Sequence, residues 1–229
     1  MSTLGNYLEN IGISGWSSLE PSIFVALKTK TPLMLIGEKG TSKTEFCRRM
    51  ALAIRGRKAR FQKYDTPDVS LDQVLGFMNI AGMSEGRVDF VRTGTSIWDK
   101  TDVTWDEINR VGPMMQGKLL EIVRTGKVHG LDTDVVMQYG TCNPPRATKT
   151  SAGGHSVHFL EDALASRFFH VHVPKTSVAL YNDAMSEKMV SVRNAFMADD
   201  QSAIAGFCKP IQEFWLDFAV AKYTEDEFK

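Results

Sequence analysis

Cysteine is sparse in this 229-residue chain. Cys47, Cys142 and Cys208 are an odd set with no C-x-x-C spacing. That argues against a disulfide framework or a cysteine-based zinc site and for reduced thiols in a cytoplasmic setting. Long apolar runs are missing too; none approaches the roughly 20 residues a spanning helix needs. The opening MSTLGNYLENIG has no basic segment followed by a hydrophobic one. No secretory signal is expected, and the protein is expected to remain in the cytoplasm. Net charge is also absent, with 27 basic residues balancing 27 acidic ones. A chain that coats nucleic acid or an anionic membrane carries a different balance, although a local basic patch, or a basic ring created by assembly, stays compatible with it. Internal repeats and low-complexity segments are lacking as well.

What is present is an ordinary globular core. Apolar residues make up 43% of the chain, and the length suits one α/β domain with a small appendage. Residues 18–30 read as a helix. The run PLMLI (32–36) reads as a buried strand, being short, continuous and ended by glycine. Helix is expected over 44–55 with Gly56 as its stop, strand in ARFQKY, and a short helix over 69–75. Residues 76–94, rich in glycine, read as loop and hairpin. DVTW is a strand ending at Asp106, residues 113–124 a helix with Met114, Leu119, Leu120 and Val123 as apolar positions, and VVMQYGT a strand. PPRATKTSAGGHS reads as a loop, 160–166 as a short helix and FFHVHV as a last strand. After about residue 174 only helices are expected: a stripe through Tyr181, Met185, Met189, Val192 and Phe196, then a helix opened by Pro210 with Ile211, Phe214, Trp215 and Phe218 on one side. The alternation predicts a largely parallel sheet covered by helices on both faces, in an α/β core over 1–174, and a short helical lid over 175–229.

The stretch GEKGTSKT follows the first strand and has the parts of a phosphate cradle. Such a cradle needs inward-pointing backbone N–H groups, a lysine for the β- and γ-phosphates, and a hydroxyl for magnesium. Gly37 ends the strand, Gly40 allows the bend, Lys43 supplies the charge and Thr44 the hydroxyl, at a helix N-terminus that favours anions. Glu38, Lys39, Thr41 and Ser42 complete the loop. Ser42 stands where glycine is usual, and smallness is the property the position demands. A turn that merely contains glycine and lysine is the competing reading.

Hydrolysis needs a metal-binding carboxylate and a positioned water. In DVTWDEINR, Asp106 ends a strand and suits the metal, while Glu107 suits a general base. An acidic N-cap is the simpler alternative. Asn143, after the next strand, suits contact with the water or the γ-phosphate, against a turn residue before Pro144. Arg167, at the end of a short helix, suits a neighbouring subunit's site, against a surface arginine near a helix dipole. His155 with His158 offers too few ligands for a metal. His170 and His172 read as satisfied structural histidines, Met114 and Met115 as packing, and Arg146 with Lys149 as a solvated loop.

With GEKGTSKT, DEINR, GTCNPP and FLEDALASRF in this order, the chain resembles the AAA+ ATPases, and within them the MoxR-like group. These segments are similar to the family's Walker A loop, Walker B motif, sensor 1 and arginine-finger segment. Residues 75–100 look like its glycine-rich insert, whose loops can line a central pore. The resemblance covers roughly residues 12–174. It implies a P-loop NTPase sandwich with a mostly parallel five-stranded sheet, ATP and Mg2+ as cofactors, and an ATPase site at a subunit boundary, usually in a hexameric ring. It also implies remodelling or activation of a protein client, often one with a von Willebrand factor A domain. The chain departs from the pattern at Ser42 and in its short lid, where Arg193 is the nearest candidate for a sensor 2 arginine. Arg110 reads equally as a boundary arginine or an ion-pair member. Three functions stay open: an ATP-hydrolysing remodeller, a nucleotide-dependent assembly scaffold, and, against the neutral charge, a DNA-acting motor.

Overall fold

The computed structural model describes residues 6–84, 86, 89–144, 160–175, 177, 182 and 184–225, the last ten by backbone alone. The chain forms two compact units, one made of residues 25–39 and 60–172, the other of 1–24, 40–59 and 173–229.

The first unit is built on a sheet of five parallel strands: β1 (Leu33–Ile36), β2 (Phe61–Asp65), β5 (Asp102–Asp106), β8 (Met137–Cys142) and β9 (Phe169–His172). Their order is β2-β5-β8-β1-β9. β1 thus has β8 on one side and β9 on the other, with Ile36 opposite both Cys142 and His172. This is the largely parallel sheet with flanking helices that the alternation predicts, with the five strands of a P-loop NTPase sandwich that the resemblance implies. Central strands covered on both faces read as continuous apolar or small residues, and β1, β5 and β8 are almost wholly buried. Trp105 stacks on Tyr64, centroids 5.0 Å apart. Its indole N–H donates to Gln138 Oε1 (3.1 Å), and Gln138 Nε2 donates to the Ile122 carbonyl at 2.9 Å. That chain satisfies the polar atoms that a buried tryptophan and glutamine bring inside. Helix α6 (Pro113–Thr125) packs Leu119, Ile122 and Val123 into the same cluster.

In this unit one expectation fails and two are refined. Met114 is 85% exposed, whereas Met115 packs against the core. At 100° per residue Met114 lies far from the stripe of Gln116, Leu119, Ile122 and Val123. The glycine-rich segment holds an antiparallel pair, β3 (Phe77–Met78) with β4 (Phe90–Val91), enclosing a one-turn helix α5 (Ile80–Ser84) that its glycines concealed. The short helix before β9 is α7 (Asp162–Ala165), closed by Ser166 and preceded by the extended Glu161. His170 and His172 are exposed; the His170 ring bonds the Ala165 carbonyl at 2.9 Å. The expectations for Arg146, Lys149, His155 and His158 lie outside the described residues, as does the Tyr181 position of the helical stripe.

The second unit is helical: α1 (Tyr7–Asn10), α3 (Lys43–Arg55), then, numbering onward in chain order, α8 (Glu187–Met197) and α9 (Gln201–Glu225). Helix α2 (Glu20–Lys28) begins in this unit and ends in the other. Arg49, 4% exposed, is paid for by its partners. Its Nε donates to Glu45 at 2.7 Å, its Nη1 donates to the carbonyls of Ile11 and Gly12, and its guanidinium lies 4.9 Å over the Phe196 ring. Burial lowers the Arg49 pKa while Glu45 raises it. Gly12, at φ +75°, admits this arginine, since a Cβ there would stand 2.3 Å from Nη1. Trp16 packs on Phe46 at 5.0 Å, and Tyr7, Phe24 and Phe214 form an aromatic cluster. Pro210 does not open a helix: it lies inside α9, which begins nine residues earlier. Ile204, Cys208 and Ile211 are all buried and step by four and three across the proline. Burying them outweighs an interior proline's cost of about 3 kcal/mol. Met185, expected on a buried stripe, is exposed, because α8 starts only at Glu187.

Candidate functional site

Parallel strands end on the same edge of a sheet, so residues just past β1, β5 and β8 are brought together by register alone. Asp65 lies opposite Asp106, and Ile36 opposite Cys142. Gly37 N–H donates to the Cys142 carbonyl at 3.1 Å, which ties the start of the loop to the strand that leads into Asn143. This edge, outside the carboxyl ends where strand order reverses, is where open α/β sheets bind ligands. Gly37 is buried, Glu38 half-buried and Lys39 exposed.

Asp106 ends β5, and its environment is built by two threonines. The Thr141 hydroxyl donates to Asp106 Oδ1 and accepts from the Glu107 N–H at 3.2 Å. The Thr66 hydroxyl sits 2.8 Å from the carbonyls of both Asp106 and Glu107, and Thr66 N–H donates to Asp106 O at 3.0 Å. These bonds hold Glu107 at φ 54°, ψ 40°, a left-handed conformation that costs a non-glycine residue roughly 1–2 kcal/mol. The Glu107 side chain makes no cap bond; its Oε2 pairs with Arg110 Nε at 3.3 Å. Of the two readings of Arg110, the ion-pair member is the geometry seen. Asn143 is half-buried, and its carbonyl accepts from Asn109 Nδ2 at 3.5 Å.

A basic side chain also reaches Asp106. Lys63, on β2, lies 2.7 Å from Asp65 Oδ1 and 3.8 Å from Asp106 Oδ2. Its hydrogen bond with Asp65 raises its pKa, partial burial opposes this, and the charges of Asp65 and Asp106 add to the rise.

The loop passes from one unit to the other: Gly40, Thr41, Ser42, Lys43 and Thr44 belong with the helical unit. Gly40 has φ +85° and Ser42 φ 62°, ψ 21°. Ser42 thus answers the sequence question differently from size alone. Its backbone is left-handed, a conformation glycine adopts without steric cost. Lys43 begins α3 and is buried, its Nζ donating to Thr41 Oγ1 at 3.4 Å. Thr44 is half-buried in the first turn. Arg167 is exposed just beyond α7, and among the described residues its guanidinium has no hydrogen-bond or ion-pair partner. The register therefore brings Gly37, Asp106, Glu107 and Asn143 to one edge, and Arg167 lies outside that group. Sequence reasoning missed Thr66, Thr141 and Lys63. Their role depends on β2–β5–β8 pairing, which no local pattern reports.

Magnesium suits the donors present. It takes hard oxygen ligands, usually one or two carboxylates completed by phosphate oxygens and water. Asp106 offers one such carboxylate, oriented by Thr141. Among the described residues no group of three or more His, Cys, Asp or Glu is arranged to hold a metal unaided.

Residues 32–168 match the family model for the AAA domain (dynein-related subfamily). No curated protein sequence matches the chain significantly. Among solved structures, the fold is similar to that of a Cytophaga hutchinsonii protein crystallised as a candidate ATPase, at 19% identity and TM-score 0.53, over 84% of this chain and 62% of that one. It is similar to S. cerevisiae Hsp104 in complex with casein, at 14% identity and TM-score 0.57, over 90% of this chain and 43% of that one. A third likeness is to a chain of the BchI–BchD complex of magnesium chelatase, at 16% identity and TM-score 0.53, over 94% and 74%. The chain spans less than two thirds of the Cytophaga and yeast chains. At these identities the likeness is one of fold.

Proposed function

The chain belongs to the AAA domain family, dynein-related subfamily, and from that membership we propose that it binds and hydrolyses ATP with Mg2+ as a MoxR-like protein. It works in a ring, six-membered in this reading, and uses the cycle to remodel or activate a protein client. A client with a von Willebrand factor A domain is the class this reading favours. The observation that carries it is the Asp106–Glu107 pair, pinned by Thr66 and Thr141 at the strand edge from which the chain enters GEKGTSKT.

The roles follow from chemistry. Gly37, Glu38, Lys39, Gly40, Thr41 and Ser42 wrap the phosphates with backbone N–H groups, and Lys43 adds a cation. The Thr44 hydroxyl and Asp106 carboxylate would hold Mg2+, which would supply neutralisation of phosphate charge. Glu107 accepts the proton of the attacking water once it has left Arg110, and Asn143 orients that water. Arg167, exposed and unpaired among the described residues, serves the site of a neighbouring subunit. An arginine in that role contributes roughly 10³ to 10⁵ in rate.

Turnover of ATP by the full chain, over a series of protein concentrations with Mg2+, tests the reading. Wild type turns over, and Glu107→Gln binds ATP but hydrolyses it at least about 100-fold more slowly. Mg2+-dependent turnover absent at every concentration overturns it. The scaffold reading draws on the Glu107–Arg110 pair, which engages the proposed base and so favours slow hydrolysis. Nucleotide-driven assembly in light scattering with negligible turnover would select it.

A further inference from the structure

Asp106 and Asp65 sit side by side at the ends of paired strands, and one cation serves both. Lys63 and Asp65 are two residues apart on β2 and so share a face. The lysine's head bonds Asp65 and stands 3.8 Å from Asp106 Oδ2, while Oδ1 takes the Thr141 hydroxyl. The carboxylates differ in environment: the Asp65 side chain is 61% exposed and that of Asp106 only 16%. The exposed pair is worth little in itself, but the less solvated Asp106 feels the lysine charge more strongly. Resting on the ATPase reading above, we infer that Lys63 is a positioning residue that competes with Mg2+ for Asp106, with Asp65 as the alternative partner that draws it aside.

The arrangement sets the Mg2+ concentration at which the site loads. A unit charge several ångströms from a divalent ion, in a water-rich and salt-screened edge, changes affinity by about threefold to tenfold. Removing the ammonium leaves Asp106 more available to Mg2+. Removing the Asp65 charge instead leaves Lys63, among the described residues, with Asp106 as its carboxylate partner, and strengthens the competition. The two substitutions therefore act in opposite directions, which a merely structural role for either residue does not produce.

Equilibrium binding of a fluorescent ATP analogue to the full chain, titrated with MgCl2, reads this directly and needs no hydrolysis. Lys63→Met lowers the half-saturating Mg2+ at least threefold, and Asp65→Asn raises it. Lys63→Gln, which keeps a polar head, repeats the fall if Met disturbs folding, and melting curves without Mg2+ confirm that each variant is folded. Shifts in the same direction, or none, overturn the inference. If wild type binds nucleotide in a Mg2+-dependent way that Lys43→Ala abolishes, yet Lys63→Met leaves the half-saturation unchanged, this inference fails while the ATPase reading stands. Wild type binding no nucleotide at any Mg2+ concentration overturns both.

Discussion

Replacing Thr141 by valine keeps shape and volume but deletes a hydroxyl that is 1% exposed and doubly bonded. One bond goes to the Asp106 carboxylate, and hydrogen bonds to charged groups are worth about 1.5–3 kcal/mol. The other receives the Glu107 N–H, a neutral contact worth about 0.5–1.5 kcal/mol. Asp106 is partly hydrated, so its bond belongs at the lower end. The valine methyl returns about 0.8 kcal/mol of apolar burial. The net loss is about 2 kcal/mol, which for a chain of this length lowers Tm by roughly 4–8 °C. The functional consequence is separate. Without Thr141 the Asp106 carboxylate loses the hydroxyl that orients Oδ1 and the left-handed Glu107 loses one of its tethers, so the Mg2+ needed for nucleotide binding rises and kcat falls. Thr141→Ser retains both bonds and restores Mg2+ dependence, while losing about 1 kcal/mol of methyl packing. Calorimetry and Mg2+ titration check the two halves. A valine variant within 0.5 kcal/mol of wild type, with unchanged Mg2+ dependence, refutes the reasoning.

Two further outcomes concern other parts of the chain. Ser42→Gly relieves a left-handed serine at φ 62°, so a gain of about 1 kcal/mol in stability is expected, tempered by the freer unfolded chain; a fall in Tm without nucleotide contradicts it. Glu20 is 1% exposed, and its Oε1 accepts from Leu8 N–H at 2.7 Å. Burial pushes its pKa up to about 7, the Leu8 N–H opposes this, the Glu9 charge adds to the rise and the Tyr7 N–H opposes it. The folded state thus holds a proton that the unfolded state releases near the ordinary carboxylate value. Stability from this group is full below that value, falls as pH rises toward 7, and levels above it. Glu20→Gln removes this component, so the stability difference between variant and wild type, read from urea midpoints, should grow in the variant's favour by about 2 kcal/mol between pH 5 and pH 8. A difference independent of pH counts against the buried-carboxyl account.

Local signals made most of the architecture legible. The run PLMLI, ended by a glycine, announced β1, and the strand–loop–helix order of GEKGTSKT announced α3 within one residue of its start. DVTWDE placed an acid pair at a strand end. These depend on neighbours in the chain, so one sequence suffices. Periodicity misled where burial overrode it. Pro210 read as a helix start because propensity is local, whereas the buried row of Ile204, Cys208 and Ile211 is a tertiary fact. Met114 read as packing because it adjoins Met115, and only the orientation of α6 tells them apart.

Composition and motif order alone thus identified a parallel α/β chain with a phosphate-type loop, an acid pair and a following asparagine, because each is a property of residues a few positions apart. Only strand pairing decided that Thr66, Thr141 and Lys63 converge on Asp106 and Glu107, and only packing decided that Ser42 and Glu107 are held left-handed and that Glu20 is closed off from water. The reason is physical: hydrogen bonds across a sheet and the dielectric around a carboxyl are set by groups tens of residues away, whose placement exists only once the chain has folded.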